Sequence, residues 1–152
     1  MTGNGKDTTG EHLNLRSRMS DLAQIHVWIE RLASRHLIPA STQFAMSLCL
    51  EEVLSNIIRH GYTGKPGHSI AVQFKSPRKD YFVFVVEDDA PPFNPVDSPE
   101  LPAMSSLDEF QIGGQGIRLL RRFADALEYQ ETPTGNRLSI GFSAAGSAIA
   151  KD

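Results

Sequence analysis

Apolar residues along this chain recur every second position in some stretches and every third or fourth in others, and each change of period marks a new element. In HLNLRSRM (12–19), Leu13 and Leu15 alternate with polar residues, which predicts a short strand. From Ser20 the period lengthens. Leu22, Ile25, Trp28, Ile29 and Leu32 fall at helical spacing behind a Ser20–Asp21 start, with Pro39 as the expected stop. A second helix is expected from about Ser41–Thr42 to about His60, where Gly61 is a C-cap signal. Ile70, Val72 and Phe74 alternate again, PRKD (77–80) turns the chain, and YFVFVVE (81–87) completes a hairpin. That second arm is apolar on both faces, so it belongs in the middle of a sheet.

Residues 88–112 break the pattern. This segment holds five of the nine prolines and only scattered apolar residues, and connectors of such length are often lids or binding loops. GGQG (113–116) then opens a helix through about Ala124, with Ile117, Leu119, Leu120 and Phe123 as its apolar set. ALEYQE and RLSIGFS, joined by TPTGN, form a final hairpin. Strands that cluster in pairs between helices predict an α+β fold: a two-layer sandwich with helices on one face of a mixed, mostly antiparallel sheet. The expected limits are a disordered leader over 1–11, one domain over 12–143 and a flexible tail over 144–152.

Composition narrows the function classes. A chain of 152 residues suits one domain, and 40% hydrophobic residues suffice for a core. Fifteen basic against 18 acidic residues give a net charge of −3, which offers neither a nucleic-acid surface nor a basic membrane face. No apolar run reaches the roughly 20 residues that span a bilayer, and MTGNGKDTTGEH lacks the apolar centre of a signal peptide. A single cysteine, Cys49, precludes an internal disulfide and fits a reducing compartment, so a cytoplasmic protein is expected. Gly5–Lys6 superficially matches the end of a phosphate-binding loop, but Asp7 stands where Ser or Thr is required.

Three constellations carry candidate chemistry. In EEVLSNIIRHGY (51–62), helical spacing puts Glu52, Asn56 and His60 on one polar stripe among Val53, Leu54, Ile57 and Ile58. Asn is a poor interior helix residue, so its place there calls for a reason. A carboxylate can act as general base, and an amide oxygen one turn away can hold a hydrated magnesium ion; a solvated edge explains the same stripe. Asp88 ends the apolar strand, where its oxygens could read a ligand amino group or simply end a strand in a turn. Gly113, Gly114 and Gly116 precede a helix, a setting that suits phosphate oxygens and hinges alike.

Taken together and in this order, the motifs resemble the GHKL (Bergerat) ATPase superfamily. EEVLSNIIRHGY resembles its N box, VVEDDAPPFNP its G1 box, and GGQGIRLLRRFADALEYQETPTGNRLSI its G2 region with the closing hairpin. Within that superfamily the wording is closer to the anti-sigma-factor serine/threonine kinases of bacterial partner-switching systems, over roughly residues 12–143. The resemblance implies ATP and Mg²⁺ as cofactors. Glu52 would be the catalytic base, with Glu51 a rival that lacks the four-residue spacing to Asn56. Asn56 would coordinate Mg²⁺, Asp88 would accept from the adenine amino group, and Gly113, Gly114 and Gly116 would wrap the phosphates. Residues 88–112 would be the lid.

The chain departs from the family wording at three places, one of them the set Pro91, Pro92 and Pro95, which makes the loop stiffer than in the histidine kinases. Ala90 stands where the G1 box has Gly, and Gly135–Asn136 replaces a Gly-Thr pair near adenine, with Asn136 able to supply a similar hydrogen bond. The resemblance further implies a sigma factor and a STAS-domain antagonist as partners and a homodimer, with the Trp28 helix and first strand as candidate contact surfaces. A histidine kinase fits less well, because no phospho-acceptor helix precedes the domain and His26 reads as a packed helix residue. The alternative from a different class is a regulatory binding module of the same fold with little or no kinase activity, which Ala90 favours.

Overall fold

The computed structural model describes residues 11–92 and 114–144; the expected lid from 93 onward and Gly113 lie outside the described residues. The elements run β1 (Glu11–Arg16), α1 (Ala23–His36), α2 (Ala40–Asn56), β2 (Ser69–Arg78), β3 (Tyr81–Asp88), α3 (Gly114–Phe123), β4 (Ala126–Thr132) and β5 (Gly135–Ser143). The five strands form one sheet in the order β1-β2-β3-β5-β4. All four pairings are antiparallel, so the mixed character expected from the sequence is absent among the described residues. β3 is the central strand, as its doubly apolar pattern required.

Period-two alternation gives the sheet one dry face. Leu15, Ile70, Val72, Phe74, Phe82, Phe84, Val86, Leu138, Ile140 and Phe142 all point into the core. Against them lie Ile25, Trp28, Ile29 and Leu32 of α1 and Met46, Leu50 and Leu54 of α2, each buried. Trp28 meets Phe84 edge-on at 5.8 Å between ring centroids, an aromatic geometry worth about 0.5–1.5 kcal/mol beyond area burial. Trp28 is therefore a core residue, and any contact surface on α1 must use its other side.

Several boundaries differ from the sequence reading. β1 begins at Glu11, whose carboxylate accepts a hydrogen bond from Arg35 and lies 3.2 Å from the His36 ring nitrogen. α1 does not run to Pro39. It stops at Leu37, which adopts the left-handed conformation (φ 56°), and the Ile38 amide donates to the Ala33 carbonyl at 2.9 Å. This is a Schellman closure with leucine at the position glycine normally takes. Pro39 instead serves as the N-cap of α2. A short 3-10 segment, Met19–Leu22, precedes α1, and buried Asp21 anchors it by accepting from Arg18 Nε at 2.8 Å and from the Arg16 amide at 2.9 Å. His26 is exposed rather than packed; its Nε2 lies 2.9 Å from Glu51 Oε1.

The last turn of the second helix also differs. α2 is regular to Asn56, then widens into a π turn over Ile57–Gly61, with the Tyr62 amide donating to the Ile57 carbonyl at 2.9 Å. The left-handed residues that follow are Thr63 and Gly64, not Gly61. Gly61 serves a packing purpose: a Cβ added there would lie 2.9 Å from the Ala90 Cβ.

Candidate nucleotide site

The regular part of α2 keeps Glu52 and Asn56 one turn apart on the same face, both half-buried. His60 leaves this stripe. The π turn puts it out of phase with Asn56, and it is exposed. Glu51 points elsewhere, outward to His26. The helix therefore separates the two glutamates and leaves Glu52 as the carboxylate beside Asn56. The Asn56 side-chain oxygen is buried and has no hydrogen-bond partner among the described residues. A buried acceptor without a donor costs roughly 1–3 kcal/mol, so its presence points to a group that binds there.

β3 delivers Asp88 to the same side of the sheet. Residues 82, 84, 86 and 88 share the inward face, the side of the sheet on which the buried residues of α1 and α2 lie. Asp88 Oδ1 accepts from the Ala90 amide and from Asn136 Nδ2, both at 2.9 Å. Burial pushes the Asp88 carboxyl above the ordinary carboxylate range, and these two N–H groups pull it part of the way back.

Asn136 reaches Asp88 because the final turn is shorter than TPTGN suggested. Only Pro133 and Thr134 lie between the strands, so Gly135 and Asn136 belong to β5 and Asn136 pairs directly with Asp88. The register also explains Gly135. A Cβ there would lie 1.9 Å from the Asp88 carbonyl oxygen and 2.6 Å from the Asp89 Cα, so only glycine lets the strands close at this point.

Two further contacts tie the end of α2 to the turn after β3. The Ala90 methyl packs on Gly61, so Gly61 provides the room that the unusual alanine needs. The Tyr62 hydroxyl donates to Asp89 Oδ1 at 2.6 Å and accepts from the Asp89 amide at 3.0 Å. Burial, then the Asp89 hydrogen bond, raises the Tyr62 hydroxyl far above the usual phenol value, so it remains a neutral donor. His68 stacks on Tyr62 at 4.2 Å, with its Nδ1 3.6 Å from Asp89 Oδ1. Sequence reasoning missed Tyr62, Asp89, Tyr129 and the role of Gly135, since all four depend on which helix and strand ends meet.

α3 packs on α2 through Phe44 and Phe123, whose rings meet edge-on at 6.2 Å. Gly114 and Gly116 lie in its first turn. Among the described residues no three His, Cys, Asp or Glu side chains converge as a metal cage. A magnesium ion does not need one, since it commonly takes one or two protein ligands and completes its shell with phosphates and water. The buried Asn56 oxygen is a metal ligand of the right kind, so the residues present fit Mg²⁺.

A helix bearing Glu and Asn, a central strand ending in a half-buried Asp, and a glycine-rich helix start on an antiparallel α+β sandwich define a nucleotide-binding ATPase domain. The chain belongs to the family described as "Histidine kinase-like ATPase domain", which matches residues 15–142. It is 34% identical over 115 residues to the serine/threonine-protein kinase BtrW of Bordetella bronchiseptica, covering 74% of this chain and 79% of that one. Its fold resembles the structure of the RsbU and RsbW domains of Rv1364c from Mycobacterium tuberculosis, with a TM-score of 0.60 at 11% identity over 90% of this chain. The match spans 32% of that longer protein. The blue-light activated histidine kinase of Erythrobacter litoralis EL346 gives a TM-score of 0.52 at 18% identity, covering 86% of this chain and 42% of that one. No helix among the described residues is long and apolar enough to cross a membrane.

Proposed function

We propose that this chain is an ATP- and Mg²⁺-dependent serine/threonine protein kinase of the anti-sigma-factor type, which holds a sigma factor and phosphorylates a serine or threonine of a STAS-domain antagonist. The observation that carries the reading is the buried oxygen of Asn56, which has no hydrogen-bond partner among the described residues, one helical turn from Glu52. The likeness to a serine/threonine-protein kinase over most of the chain supports the choice of acceptor. Glu52 would take the proton of the attacking hydroxyl, Asn56 would hold Mg²⁺ against the nucleotide phosphates, and Asp88 would accept from the base. Gly113, Gly114 and Gly116 would give the phosphates close backbone amides. The bound metal ion supplies charge neutralisation at the transferred phosphoryl group. The protein's own task is positioning.

A cytoplasmic homodimer belongs to the same proposal, with edge strand β1 and the outer side of α1 as its candidate surface. The binding-module alternative rested on Ala90. Its methyl packs on Gly61, so the alanine is accommodated and gives no reason to read the site as lost. Calorimetric ATP binding with and without Mg²⁺, on the wild type and Asn56→Ala, tests the site. Mg²⁺-dependent binding that Asn56→Ala abolishes supports it, and no binding at millimolar ATP overturns it. Phosphate transfer to a STAS-domain protein, abolished by Glu52→Ala with partner binding retained, tests the kinase assignment.

A further inference from the structure

Asp88 and Asn136 are direct cross-strand partners, and Tyr129 lies on β4 two residues from Glu131, the other partner of Asn136. All three side chains therefore share one face. The Asn136 side chain is buried, at 7% exposure, and its amide fits in one sense only. Its nitrogen faces three oxygens: Asp88 Oδ1 at 2.9 Å, the Ala90 carbonyl at 3.2 Å and the Pro91 carbonyl at 3.3 Å. A flipped amide would set oxygen against all three. The Tyr129 hydroxyl donates to the amide oxygen on the other side and holds it in this sense.

The consequence falls on Asp88. Its Oδ1 is occupied by two N–H groups, and its Oδ2 takes no donor from any described residue. Two donors favour the ionised carboxylate, and the second oxygen then offers lone pairs only. We propose that Tyr129, acting through Asn136, keeps Asp88 an acceptor and so makes the site select a purine with a 6-amino group over one with a 6-oxo group. A 6-amino group brings an N–H to that oxygen, whereas a 6-oxo group brings a second acceptor and leaves both without a proton. Tyr129 need not touch the nucleotide; it is a positioning residue. The inference rests on the proposed role of Asp88 in reading the base.

ATP and ITP differ only at the 6-position and the adjoining ring nitrogen, which makes them the right pair of probes. Their dissociation constants would be measured calorimetrically with Mg²⁺ at pH 7 on the wild type, Tyr129→Phe and Asn136→Asp. The wild type should prefer ATP. Tyr129→Phe keeps the ring and should narrow the ATP:ITP preference roughly three- to tenfold, the worth of one hydrogen bond. Asn136→Asp sets a second carboxylate beside Asp88, so the pair shares a proton and the preference should fall further. A merely structural role would weaken both nucleotides in proportion and leave the ratio unchanged, which overturns the inference; Tyr129→Phe decides this even where Asn136→Asp fails to fold. A wild type that binds ATP and ITP equally also overturns the inference but spares the nucleotide site. A wild type that binds neither overturns the nucleotide site and the inference together.

Discussion

Gly61→Ala should destabilise the protein only while residue 90 carries a methyl group. The added Cβ would sit 2.9 Å from the Ala90 Cβ. Carbon atoms in good contact lie about 3.5–4.0 Å apart, so the α2 end and the β3 turn must separate by about 0.6–1.1 Å. Overpacking of this kind costs about 1–3 kcal/mol. Gly61 lies outside the left-handed region, so alanine there also restricts the unfolded chain and returns about 0.4–1 kcal/mol. Gly61→Ala alone should therefore lower stability, by about 1 kcal/mol in the middle of the range. In an Ala90→Gly background the collision disappears and the same change should stabilise by about 0.4–1 kcal/mol. The four proteins of this cycle, compared by urea unfolding, should show a coupling of about 1–3 kcal/mol, well above the roughly 0.3–0.5 kcal/mol scatter of independent sites. Because the Ala90 amide donates to Asp88, ATP binding should weaken in Gly61→Ala and recover in the double variant. An equal effect of Gly61→Ala in both backgrounds would refute the packing argument.

The other predictions concern stability and its pH dependence. Leu37→Gly should stabilise by about 1 kcal/mol in thermal or urea unfolding, because Leu37 holds a left-handed φ of 56° while its side chain is 86% exposed and has little packing to lose. Asp88→Asn should abolish ATP binding yet raise Tm at pH 7. The folded carboxyl has a raised pKa, so its ionised form weakens the fold above that pKa; the gain should fade as pH falls below the ordinary carboxylate range. Asp21→Asn should behave in the opposite way. The Arg18 hydrogen bond, aided by the Arg16 amide, holds the Asp21 carboxyl below its usual value, so its stabilisation is present above that value and lost as pH falls through the folded pKa. The Tm deficit of Asp21→Asn should thus be clear at neutral pH and vanish in strong acid.

What the sequence makes legible follows the range of the interactions involved. Strands and helices were readable because alternation and helical spacing are local, and the Glu52–Asn56 pair because four residues make a turn. The α1 stop was misplaced because Pro39 is the louder signal, whereas the actual closure uses a left-handed Leu37 that no propensity favours. Gly61 was legible as a glycine that matters but not why, since its partner Ala90 lies 29 positions away (90 − 61). Asn136 looked like turn material in TPTGN; the two-residue turn that moves it into β5 sets a register that local composition does not encode. Tyr129 was invisible for the same reason. One slip of that register would turn it to the other face of the sheet.

Two of the departures from the family wording make physical sense as matched adjustments. Ala90 replaces glycine in the G1 box, and the methyl that could have crowded the base is taken up by Gly61, so the end of α2 and the turn after β3 close into one seam. Tyr62 and Asp89 fasten that seam with two hydrogen bonds. Asn136 occupies the place of a hydroxyl residue, and its longer amide reaches Asp88, Ala90 and Pro91 at once while Tyr129 fixes its sense. Both adjustments converge on Ala90, whose amide, carbonyl and methyl group each have an assigned partner. The turn that carries Asp88 is thus held from the helix side and from the sheet side. A nucleotide bound as proposed would meet an Asp88 carboxylate already held in place by the Ala90 amide and the Asn136 side chain.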